Sequence, residues 1–257
     1  MSIRLLDCTL RDGGYINDWK FGYRTAKSII QKLVDSNADY VEVGFLRNCS
    51  YDKNATLFNN IAELKKILPR EQKNTKFTVM ALHNKYDITK LEPNDGTVEA
   101  VRVTFHDYDI DEGLEFVKKV MEKGYKCFCN PINIMGYSDQ EILNLIQKIN
   151  QIKPYAFSIV DTFGSMIKSD LLRIYSLLEH NLDKSIVIGL HLHENLSLSY
   201  SLAQEFIGMR NVNRDCVIDG SLMGMGRVPG NLCLELIMDY MNKYDSVKYN
   251  VDSVLDA

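Results

Sequence analysis

Eight short apolar runs alternate with longer amphipathic stretches along the chain. The runs cover residues 3–8, 40–44, 76–82, 98–105, 125–130, 156–161, 185–190 and 216–220. They are brief and rich in apolar or β-branched residues, as strands buried on both faces tend to be. Between them, apolar residues recur at helical spacing over 25–36, 57–68, 112–123, 139–149, 168–180 and 197–209, and again over 231–244. The third connection, near 86–91, supports one helical turn at most. Eight strand–helix units in 257 residues predict an α/β chain folded as one (β/α)8 (TIM) barrel over 1–242, with a polar tail over 243–257. A doubly wound sheet is the alternative that the same pattern allows. No linker, low-complexity tract or composition shift divides the chain.

Barrels of this kind do their chemistry at the carboxyl ends of the strands. Polar residues collect there: Arg11 and Asp12 after the first run, Glu42 and Arg47 at the end of the second, His83 at the end of the third. His106 and Asp107 follow the fourth, Asn130 ends the fifth, Asp161 and Thr162 end the sixth, and His191 and His193 the seventh. A glycine-rich loop from Gly224 to Asn231 follows the eighth. Side chains two apart on a strand share a face, so His191 and His193 can bind one ion together, with Asp12 as a third ligand. A mixed N/O set suits borderline and hard divalent metals. Blander readings stand beside this one. Arg11 and Asp12 could form an ion pair closing the barrel mouth, His83 and His106 could be rim residues, and Gly13-Gly14 could serve a tight turn. Cys127 and Cys129 share a strand face but lack a second pair to complete a zinc site, and read as core.

Composition narrows the class. Apolar residues make up 46% and charged residues 25%, as in globular proteins, and the net charge of −4 argues against nucleic acid as a partner. Six scattered cysteines do not make a disulfide scaffold. No apolar run approaches the ~20 residues that span a bilayer, and the start lacks a signal-peptide pattern. The expectation is a reduced cytoplasmic protein without membrane or nucleic-acid partners.

Taken together, Thr9-Leu10-Arg11-Asp12-Gly13, His191-Leu192-His193 and Gly224-Met225-Gly226-Arg227-Val228-Pro229-Gly230-Asn231 resemble the DRE-TIM metallolyase superfamily. The resemblance covers the whole barrel, with the motifs in order on the expected strands. Members cleave or form carbon–carbon bonds next to 2-oxo acids or acyl-CoA thioesters. Within the superfamily the chain is most similar to the catalytic domain of the 4-hydroxy-2-oxovalerate aldolases. That implies a class II, pyruvate-forming lyase using Mn²⁺ or Mg²⁺, with Zn²⁺ or Co²⁺ as further options, and allows a homodimer. By resemblance, Asp12, His191 and His193 are metal ligands, Asn231 is a fourth in some members, and Arg11 stabilises the pyruvate enolate.

Two departures matter. The bacterial aldolases carry a histidine, proposed as general base, where this chain has Tyr15. They also carry a C-terminal extension that docks a dehydrogenase, so no channelling partner is expected here. The glycine loop has Arg227 and lacks the cysteine of 3-hydroxy-3-methylglutaryl-CoA lyase, and the large C-terminal domain of isopropylmalate-type synthases is absent. Tyr15, His83 and His106 are the base candidates. Glu42, Asn130, Thr162 and Arg227 join Arg11 as candidate substrate contacts, while Glu42 or Asp161 could instead orient Arg11 or a ligand histidine. The alternatives to an aldolase are a Claisen-type acyl-CoA/2-oxo acid acyltransferase or lyase, and a non-catalytic barrel subunit.

Overall fold

The computed structural model describes residues 2–211, 213–244 and 248–257. Eight parallel strands form the barrel: β1 (Ile3–Asp7), β2 (Tyr40–Leu46), β3 (Lys76–Leu82), β4 (Ala100–Phe105), β5 (Lys126–Pro131), β6 (Ala156–Asp161), β7 (Val187–Leu192) and β8 (Cys216–Gly220). Each pairs with its sequence neighbours, and β1 pairs with both β8 and β2, which closes the sheet. The expected (β/α)8 barrel is therefore the observed fold. The main crossover helices are α1 (Tyr23–Asp35), α2 (Ile110–Glu122), α3 (Asp139–Ile152), α4 (Lys168–Asn181), α5 (Ser199–Met209) and α6 (Leu234–Tyr244). Their apolar faces pack on the outward side chains of the strands. Among the described residues no helix is long and apolar enough to cross a membrane.

Three local expectations shift. The stretch 57–68 is not one helix. Leu57–Phe58 pair with Phe45 and Leu46 of β2, and Asn60 then accepts a hydrogen bond from Glu63 N (2.9 Å), starting a single turn at Ile61. The last barrel helix starts at Leu234 rather than at 231, because Asn231 pairs back with His193 and Cys233 with Ser221. The region expected as a tail from 243 begins inside α6, since Lys243 and Tyr244 are its final residues. Further on, α7 (Val251–Leu255) buries Val254, and Asn250 N donates to Ser36 O at the end of α1 (2.9 Å). Residues 245–247 lie outside the described residues.

Strand alternation layers the barrel interior. Leu6, Tyr40, Phe128, Val187 and Val217 form an apolar floor. Two residues further along their strands or a neighbour's stand Glu42, Arg102 and Asp219, all buried. The Arg102 guanidinium lies over the Phe128 ring, 5.6 Å from its centroid. The site sits on this charged layer.

Candidate active site

A cavity of about 210 Å³ opens at the carboxyl ends of the strands. Arg11, Asp12, His191 and His193 line one part of it. Asp7 shapes the first loop: its carboxylate accepts from Thr9 Oγ1 (2.6 Å) and Thr9 N (3.1 Å) as the chain turns into the one-turn helix Thr9–Asp12. Trp19 Nε1 donates to Arg11 O (2.7 Å). Gly13 and Gly14 are both in short helical turns, so the tight-turn expectation is replaced by a spatial one. A Cβ on Gly14 would lie 2.0 Å from the Trp19 ring, and one on Gly13 2.5 Å from Thr9 O.

His191 and His193 do share a face, with ring centroids 5.0 Å apart. The strand runs two residues later than expected, so His191 lies within β7 and His193 just beyond it. His193 Nδ1 donates to Asp161 O (2.8 Å) and His191 Nδ1 to Asp219 Oδ2 (2.9 Å). Both partners only accept, so each Nδ1 carries the proton, and in the neutral ring Nε2 is the nitrogen free to ligate. The two Nε2 atoms face one oxygen, Asp12 Oδ2, at 3.3 and 3.6 Å. Asn231 Nδ2 donates to the same oxygen (2.6 Å). Donors sharing an ion through bonds of ~2.0–2.2 Å stand roughly 3 Å apart, so this spacing fits a divalent cation. His193 Nε2 and Asn231 Oδ1 are buried without a hydrogen-bond partner, the deficit that a cation would fill. Gly226 leaves room for the asparagine, because a Cβ there would come within 2.6 Å of its carboxamide.

Cys8 also lies at this centre, with its sulfur, Asp12 and His191 mutually within 4.8 Å. Its thiol donates to Gly220 O (3.3 Å), and burial, above all, pushes its pKa well up. Cys8 thus stands beneath the site as a protonated thiol that a bound ion would have to deprotonate before it could serve as a ligand.

Beneath the cavity the charged side chains close into a ring. Arg11 reaches Asp12 Oδ1 (2.8 Å) and Glu42 Oε2 (2.7 Å). Arg102 reaches the same Glu42 oxygen (3.2 Å) and Asp219, and Asp219 returns through His191 to Asp12. Burial works against each carboxylate. In Asp12 it is outweighed by Arg11 and the two histidines, and in Asp219 by Arg102 and His191, so both pKa values fall below the usual range. Three carboxylates face two guanidinium groups, one net negative charge with the histidines neutral.

The sequence-derived residues divide clearly. Tyr15, His106, Asn130, Thr162 and Arg227 line the cavity with Arg11. Tyr15 is 47% exposed and packs edge-on against Trp19 at 4.9 Å. Glu42 is fully buried behind Arg11, so its role is to hold that guanidinium rather than to touch substrate. His83 stands behind the cavity wall, 3.4 Å from Asp109. Asp161 orients His193 through its carbonyl, while its carboxylate accepts from Ser165 N and Met166 N. Sequence reasoning missed Asp219, Arg102 and Cys8. The signal for the first two was a charged residue inside an otherwise apolar strand run.

The HMGL-like family model matches residues 2–256. The chain belongs to the HMGL-like family. It is thereby one of the DRE-TIM metallolyases, a superfamily of divalent-metal lyases, as the motifs led us to expect. Among curated relatives of this family member, a 4-hydroxy-2-oxovalerate aldolase of Geobacillus genomosp. 3 is 23% identical, covering 100% of this chain and 79% of the relative. An oxaloacetate decarboxylase of Mycobacterium tuberculosis is 19% identical, covering 98% and 74%. Among solved structures, the N-terminal domain of a candidate aldolase from Bacteroides vulgatus is 24% identical with a TM-score of 0.80, covering 98% of this chain and 84% of that one. That last similarity is one of fold.

Proposed function

We propose that this HMGL-like protein is a divalent-metal-dependent aldolase that splits a 4-hydroxy-2-oxo acid into pyruvate and an aldehyde. The observation that carries the reading is the convergence of two imidazole Nε2 atoms on Asp12 Oδ2, beside Arg11, in one cavity. Asp12, His191, His193 and Asn231 would hold the ion, Mn²⁺ or Mg²⁺ best suiting a mixed N/O set. When bound, a divalent ion there supplies Lewis-acid polarisation of the 2-oxo group. It would also turn the ring's single negative charge into a single positive one, which suits an anionic 2-oxo acid. Arg11, held by Asp12 and Glu42, can donate charge-assisted hydrogen bonds to the oxygen on which enolate charge develops. Asn130, Thr162 and Arg227 are the polar groups for the substrate carboxylate, and Tyr15 and His106 are the ones able to exchange protons.

Size fits the aldolase reading. The space of about 210 Å³ suits a short 2-oxo acid bound whole. The test is pyruvate release from a panel of 4-hydroxy-2-oxo acids with added Mn²⁺, and its loss on chelation. No metal-dependent pyruvate from any of them would remove the proposal.

Two variants probe its parts. Arg11→Lys is expected to lower kcat by ~10² while leaving Mn²⁺ stoichiometry intact, because one ammonium cannot serve Asp12, Glu42 and substrate together. Wild-type turnover would show that Arg11 only shapes the barrel. Gly226→Ala is expected to weaken Mn²⁺ binding ~10-fold or more by pushing Asn231 aside. Titration calorimetry giving an unchanged Kd would take Asn231 out of the ligand set.

A further inference from the structure

Resting on that reading, the reaction still needs a base for the 4-hydroxyl proton. The residues assigned to the ion come from β1, β7 and the loop after β8. His106 follows β4, diametrically across the barrel from β8, and lines the same cavity. A substrate with its 2-oxo end at Asp12 and Arg11 would therefore point its C4 hydroxyl toward His106.

The imidazole is held in place. Its ring stacks on Tyr108, 4.7 Å between centroids and 11° from parallel. Its Nδ1 is buried without a hydrogen-bond partner, and Asp109 Oδ2 stands 3.6 Å from it. The other oxygen of Asp109 accepts from His106 N (2.6 Å), which fixes the carboxylate against the residue it serves. Asp109 is buried, and its Oδ2 also faces His83 Nε2 at 3.4 Å. Nearby Tyr137 is kept neutral by burial and then by Asp107 and Asp109. With Nδ1 turned to the carboxylate, Nε2 is the nitrogen left for substrate. A long carboxylate–imidazole approach of this kind commonly tightens once substrate is bound.

We propose that His106 is the general base for the 4-hydroxyl proton, and that Asp109, shared between His106 and His83, is the positioning residue that holds it in the Nδ1–H tautomer. Nε2 takes the hydroxyl proton. The C3–C4 bond breaks, its electron pair moves into C2–C3 to give the pyruvate enolate, and C4 leaves as the aldehyde carbonyl. The enolate then takes a proton at C3. Oxaloacetate reaches the same enolate by losing CO₂, with no hydroxyl proton to remove, so the two substrates separate the base from the rest of the site.

The experiment compares 4-hydroxy-2-oxopentanoate cleavage with oxaloacetate decarboxylation, both with Mn²⁺. His106→Gln is expected to lower kcat for cleavage by ~10²–10⁴ with little change in KM, while decarboxylation persists. Asp109→Asn is expected to lower cleavage less, and to move the pH at which it falls. A metal-free readout accompanies this. The chain has five histidines, and the ring nitrogen chemical shifts of His106 should report the Nδ1–H tautomer in the wild type and a loss of that preference in Asp109→Asn. An equal fall of both reactions in His106→Gln, an unchanged His106 tautomer in Asp109→Asn, or cleavage lost in Tyr15→Phe but intact in His106→Gln would each overturn the assignment. A wild-type protein inactive on both substrates would overturn the aldolase reading and this inference with it.

Discussion

Asp12→Asn is expected to weaken Mn²⁺ binding by more than ~10²-fold, beyond the ~10–100-fold seen when residues that merely orient ligands are lost. Pyruvate release should fall to background with it. The reason is geometric. Oδ2 of Asp12 is the one atom approached by His191 Nε2, His193 Nε2 and Asn231 Nδ2 together. Asparagine keeps the shape but removes the charge. It also sets an amide donor or a weaker oxygen against the imidazoles, and costs Arg11 its partner at 2.8 Å. Calorimetry with Mn²⁺ reads the binding, and near-ultraviolet circular dichroism checks that the barrel stands. Wild-type affinity in this variant would mean that the ion, if bound, sits elsewhere.

Arg102→Met should be the most damaging single change to stability away from the ligands. Arg102 is fully buried and bridges Glu42 and Asp219, the carboxylates that hold Arg11 and His191. Removing the guanidinium leaves buried negative charge uncompensated, which typically costs ~3–5 kcal/mol. Urea unfolding measures it. The pH dependence has a definite sign. In the wild type the pKa of Asp219 is held low, so its contribution is present above the unfolded-state pKa and is lost as pH falls. In the variant, Asp219 loses Arg102 while burial still raises its pKa, which shifts the balance toward a contribution present at low pH and lost as pH rises. The deficit should therefore be larger at pH 8 than at pH 4. A deficit below ~1 kcal/mol at both, small beside that usual cost, would show that the ring is not needed for the fold.

The ring also explains why some residues were legible and others were not. Asp12 and the histidine pair stand in a short motif at a strand end, where type and spacing already suggest a shared ion. Glu42 reads as a strand end in the sequence but lies inside β2, which runs on to Leu46, and nothing local separates touching substrate from holding Arg11. The difference lies in its depth, since it faces the charged layer below the cavity. His83 and His106 looked equivalent as histidines after neighbouring strands. Both face Asp109, and only His106 is among the residues lining the cavity. Helix 57–68 failed because two extended residues could pair with β2, a contact outside the reach of periodicity.

Alternation of eight apolar runs with amphipathic stretches determined the α/β class and favoured a barrel over a doubly wound sheet, because buried parallel strands and one-sided helices have different periods. Motif order determined the superfamily and the side chains that meet at the mouth. Tertiary structure alone decided which polar groups reach the cavity and which carry them from below. Such choices depend on pairings between strands far apart in sequence, and on the depth at which each strand register sets a side chain within the closed barrel.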